Sequence, residues 1–95
     1  MITNRSRTLM PLQQRVQEVE AQIMALEEKV KEDNITLLRA SQQGSGKSIA
    51  ALSISIHESR KKIEALFEEL EEASIVLHMK SQEFEEMFKE LQQKT

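Results

Sequence analysis

Apolar residues recur at alternating steps of three and four along nearly the whole chain, and no other feature restricts the fold so tightly. In the first half they fall at Leu9, Leu12, Val16, Val19, Ile23, Leu26 and Val30; Asp33 interrupts the series and Leu37 resumes it. In the second half they fall at Ile49, Leu52, Ile56, Ile63, Leu66, Leu70, Ala73, Leu77, Phe84, Met87 and Leu91, with only Ser59 and Lys80 polar in the same register. A sustained seven-residue repeat puts these side chains on one stripe of an α-helix, the seam along which helices coil about each other. Phe67 and Phe88 sit beside the seam and widen it, which suits a second packing surface.

Composition agrees with long helices. The chain has 95 residues, 31% of them charged, with two glycines, one proline, three phenylalanines and neither Trp nor Tyr. It lacks the glycine and proline punctuation of a multi-stranded protein. A small chain so poor in aromatics buries little of its own surface, so self-association or docking onto a partner is expected. The absence of cysteine excludes disulfides and thiolate metal sites and fits a cytoplasmic setting. No apolar run reaches the length of a membrane span, and the start "MITNRSRTLMPLQQ" has no apolar stretch of the kind a secretory signal needs.

Both glycines lie in "ASQQGSGKS", between the two heptad blocks. This is where the chain reverses. Gly44 or Gly46 ends the first helix in a left-handed conformation, and Ser48 caps the second. Pro11 suits a first helical turn, where its missing N–H costs nothing. The expected fold is all-α, an antiparallel two-helix coiled-coil hairpin that self-associates into a helical bundle. Its parts are a flexible arm over residues 1–10, a helix over 11–42, a turn over 43–47 and a helix over 48–93. With the reversal near residue 45, Leu12 faces about His78, and Phe84, Met87 and Leu91 overhang the first helix by on the order of 20 Å.

Gly46-Lys47-Ser48 is spelled like the end of a phosphate-binding P-loop. That motif also needs a glycine five residues before Gly46, where Ser41 stands, and a strand before the loop. "NITLLRA" has helical periodicity instead, so the plain reading is a turn. His57 and His78 each lack a second imidazole at i+4, and the carboxylates of "FEELEEA" and "EFEEMFKEL" read as a solvated face. No nucleophile–histidine–carboxylate grouping is present. The chain is expected to be non-catalytic, with no metal and no cofactor.

Charge separates along the chain. From Lys29 to Lys62 there are seven bases (Lys29, Lys31, Arg39, Lys47, Arg60, Lys61 and Lys62) and three acids, a net +4; from Glu64 to Glu90 there are nine acids and two bases, a net −7. In a hairpin these become a basic turn end and an acidic far end. The seven bases are candidate contacts for nucleic-acid phosphates. The alternative is internal pairing of Arg60, Lys61 and Lys62 with Glu32, Asp33 or a nearby Glu. With no aromatic interleaving, sequence-specific base reading is not expected.

The blocks "VQEVEAQIMALEEKV" (16–30) and "ALSISIHESRKKIEALFEELEEA" (51–73), preceded by Leu9 and Pro11, resemble the C-terminal coiled-coil domain of the ATP-binding-cassette F proteins, soluble twin-cassette ATPases. Pro11 lies further from Val16 than that family places it, Leu70 stands where a Trp is common, and residues 74–95 extend past the usual end. The resemblance implies a non-catalytic appendage that contacts DNA or ribosomal RNA, any ATPase activity residing in cassettes outside this chain. The alternative from the residues alone is a structural or adaptor coiled coil. It would act by homodimerisation or by docking onto a larger protein, through Phe67, Leu77, Phe84, Met87, Phe88 and Leu91. Neither a membrane nor a small-molecule substrate is expected as partner.

Overall fold

The computed structural model describes residues 4–93 as two α-helices, α1 (Asn4–Gln43) and α2 (Gly46–Gln93), folded against each other in a hairpin of about 76 × 23 × 14 Å. No strand occurs among the described residues. The all-α hairpin expected from the heptads is the fold observed.

The seam runs where the repeat places it. Val19 is fully buried, and Leu9, Ile23, Ala40, Ile56 and Ser59 are buried around it. Leu12, Val16, Leu26, Val30 and Leu37 of α1 are half-buried, as are Ile49, Leu52, Ile63, Leu66, Leu70, Ala73, Leu77 and Phe84 of α2. The two polar members of the α2 register are handled differently. Ser59 is small enough to be enclosed. Lys80 lays its stem in the seam and carries its ammonium out to Glu83 Oε2 at 3.3 Å. Two exposed edges flank a narrow stripe, so most helix surface stays in water, as in any two-stranded coil.

The reversal is tighter than a five-residue turn. Gly44 adopts φ +72°, and it is the one described residue in the left-handed region. Its N–H donates to the Ser41 carbonyl at 3.3 Å, and the Ser45 N–H donates to the Ala40 carbonyl at 3.1 Å. These paired bonds satisfy the last carbonyls of α1 and stop it. The Ser45 carbonyl then accepts the Ile49 N–H at 3.0 Å, which starts α2. Ser45 is therefore the cap residue, in place of the expected Ser48; its hydroxyl donates to the Ser48 hydroxyl at 3.0 Å within the first turn. Gly46 and Lys47 are already helical, so the link is Gly44–Ser45 alone.

The other correction lies at the N-terminus. Residues 4–10 do not form a flexible arm but the first turns of α1, and Pro11 sits inside the helix. Residues 1–3 of the expected arm lie outside the described residues. The heptad explains the difference. Leu9 is buried against α2 and Leu12 is half-buried, so packing on both sides of Pro11 outweighs its unfavourable interior position. The overhang shrinks as a result. Asn4, Arg5, Phe84, Met87, Phe88 and Leu91 line one hollow, so the start of α1 lies beside the segment that was expected to overhang it.

Candidate interaction surfaces

Three cross-helix contacts set the register. Lys29 Nζ donates to the Ser55 hydroxyl at 3.2 Å, Ser55 donates to Asp33 Oδ2 at 3.0 Å, and Arg15 forms an ion pair with Glu69. Asp33 thus keeps the seam position that breaks the apolar series. It is half-buried and hydrogen-bonded from the opposite helix.

All seven cations singled out from the sequence are exposed: Lys29, Lys31, Arg39, Lys47, Arg60, Lys61 and Lys62. Among the described residues only Arg15 and Lys80 form ion pairs, Arg15 with Glu18 at 3.5 Å and with Glu69, and Lys80 with Glu83. The internal pairing of Arg60, Lys61 and Lys62 with Glu32 or Asp33 is therefore not formed. The hairpin does not gather these cations on one face. Lys31 and Arg60 border one hollow together with Glu27 and Ile35. Lys62 borders a different one, beside Ala25 and Ala65. Lys47, in the first turn of α2, stands at the tip. The seven cations are thus spread around the turn half of the rod, among Glu27, Glu28, Glu32, Asp33 and Glu58.

The six apolar candidates divide. Leu77 and Phe84 are half-buried in the hairpin's own seam. Phe67 is 50% exposed, and Met87, Phe88 and Leu91 are 49%, 62% and 64% exposed. Asn4 and Arg5 of α1 line one hollow with Met87, Phe88 and Leu91, so the start of α1 borders these three without burying them.

One surface had no counterpart among the sequence candidates. Gln22, Ala25, Leu26, Lys62, Ala65 and Leu66 line an open, almost wholly apolar groove. Two alanines, one on each helix at the same level, leave the flanks of Leu26 and Leu66 uncovered. An alanine one position before a seam leucine is unremarkable in each helix alone, and only the pairing of the helices brings the two together.

His57 and His78 are both exposed. No group of three or more His, Cys, Asp or Glu side chains is placed to hold a metal ion among the described residues. Gly46-Lys47-Ser48 opens a helix that follows another helix, without the strand on which a P-loop depends. No described helix is long and apolar enough to cross a membrane. No protein-family model, curated protein or solved structure matches the sequence.

Proposed function

We propose that the chain is a non-catalytic coiled-coil binding module that contacts the backbone of DNA or ribosomal RNA through its turn half, in the manner of the C-terminal appendage of ATP-binding-cassette F ATPases. The observation that carries this reading is the state of the seven cations. Each is exposed and none has an acidic partner among the described residues, although the chain has an excess of acids. Lys29 is engaged with Ser55, but the other six keep their attraction for phosphate, and binding releases the counterions condensed on the nucleic acid. Nine of the sixteen acids lie between Glu64 and Glu90, in the part of α2 away from the turn. The likeness of residues 16–30 and 51–73 to that family supports the same reading.

The test is fluorescence anisotropy with a labelled duplex and a labelled RNA hairpin. Arg60→Glu with Lys61→Glu is expected to abolish most of the affinity, while Lys89→Glu, in the acidic half, leaves it unchanged. Equal affinity for all three proteins contradicts the proposal.

A second reading is favoured by Met87, Phe88 and Leu91, which continue the apolar register and stay largely exposed beside the start of α1. On this reading the module is an adaptor that joins a protein partner or a second copy at the acidic end. Sedimentation of Phe88→Glu with Leu91→Glu tests the second-copy form: a stoichiometry unchanged from wild type removes it.

A further inference from the structure

Phe84, Met87, Phe88 and Leu91 stand at i, i+3, i+4 and i+7 of α2, so they form one apolar strip, and that strip lines the hollow at the start of α1. Acids border it on both sides. Glu83 and Glu90 stand one turn before and one turn after Met87, with Glu86 beyond them, and Glu85 stands one turn before Phe88 on the other side. All four glutamates are exposed, as are Met87, Phe88 and Leu91. From this we infer that the strip is the docking site for a basic amphipathic helix of a partner protein. The apolar face of that helix lies on Met87, Phe88 and Leu91, and its lysines or arginines meet the flanking glutamates. The inference rests on the adaptor reading above and names the class of partner.

Charge selects this occupant. Glu83 is taken up by Lys80 at 3.3 Å, but Glu85, Glu86 and Glu90 form no ion pair among the described residues. The cations at this end do not offset them. Arg5 alone borders the hollow, from α1, and Lys89 stands on the face of α2 opposite Met87. From Glu64 to Glu90, nine acids against two bases leave a net −7. A second copy docking by the same strip sets these glutamates against their own counterparts, because a two-fold interface presents one patch to itself. A nucleic-acid backbone is repelled by the same charges. A cationic helix instead gains twice: it buries the exposed strip, and it pairs with three carboxylates that have no partner within the fold. The side chains suit the role. Met87 has an unbranched thioether that adapts to different apolar contours, and Phe88 offers a large flat face.

Fluorescence anisotropy on the full chain tests the inference, with three labelled peptides of about five helical turns as probes. The first carries Leu at i, i+3, i+4 and i+7 spacing and Lys elsewhere. The second has the same residues in scrambled order, and the third has Glu in place of every Lys. The first peptide is expected to bind, more weakly as salt rises, and the other two are not. Phe88→Ala with Leu91→Ala is expected to weaken binding at least tenfold, and Glu85→Gln with Glu90→Gln roughly fivefold. Glu58→Gln, near the turn, leaves it unchanged. Circular dichroism confirms that each variant keeps its helices. Failure of the first peptide to bind overturns the inference, as does equal binding of the scrambled peptide or an affinity unchanged by the Phe88 and Leu91 substitutions. If the glutamate peptide binds as well as the lysine one and loses affinity with Phe88→Ala and Leu91→Ala, the basic partner is overturned while the adaptor reading stands. A wild-type dimer that dissociates in the Phe88→Glu, Leu91→Glu variant has the same consequence, because the strip is then the seat of a second copy.

Discussion

Ser55 donates a hydrogen bond to Asp33 at 3.0 Å across the two helices, and Lys29 donates to the same hydroxyl at 3.2 Å. A three-residue polar chain therefore links the two helices at one defined level of the seam. Apolar seams slide by a heptad at little cost, whereas a polar pair is satisfied in one register only. Ser55→Ala leaves Asp33 half-buried without this bond. It is expected to lower hairpin stability by about 1 kcal/mol in urea unfolding. Asp33→Leu with Ser55→Ala removes both partners and is expected to be more stable than Ser55→Ala alone.

The two glycines should behave oppositely. Gly44 sits at φ +72° with nothing within 4 Å of where a Cβ would lie, so Gly44→Ala pays only the backbone cost of the left-handed region, roughly 1–2 kcal/mol. Gly46 is helical and equally uncrowded, so Gly46→Ala gains helix propensity and is expected to raise stability by about 0.5–1 kcal/mol. Thermal melting of the two variants in parallel shows whether the chain reverses at Gly44 rather than at Gly46.

Pro11 removes one backbone hydrogen bond from the interior of α1. Pro11→Ala is expected to stabilise the hairpin by roughly 1–3 kcal/mol and to raise helicity in circular dichroism. An unchanged melting temperature would mean that residues 4–10 do not contribute a helix in solution.

Val19 is fully buried. Val19→Ala is expected to cost about 2 kcal/mol, from lost transfer energy and incomplete collapse of the seam. Met24→Ala, on the outside of the same helix and 71% exposed, is expected to change stability by less than about 0.5 kcal/mol.

The seam was readable in the sequence because a coiled coil states its packing one residue at a time. Each buried side chain from Leu9 to Phe84 stands where the alternation of three and four puts it. What was not readable depended on balances between terms. Pro11 is a strong local boundary signal, yet it lost to the burial of Leu9 beyond it. Ser45 and Ser48 are both good caps, and only the carbonyl that accepts the Ile49 N–H distinguishes them. The cation positions followed from the hairpin, but their division between two faces followed from the heptad phase of each helix. The groove at Ala25 and Ala65 required knowing which residues of α1 and α2 stand level.

The salt dependence of nucleic-acid affinity tests the central reading most directly. If four or more of the turn-half cations neutralise phosphates of a duplex, log K falls linearly with log salt, with a slope of about −3.6 or steeper. Affinity then drops roughly a hundredfold between 50 and 200 mM monovalent salt. An affinity that holds constant over that range would contradict the account.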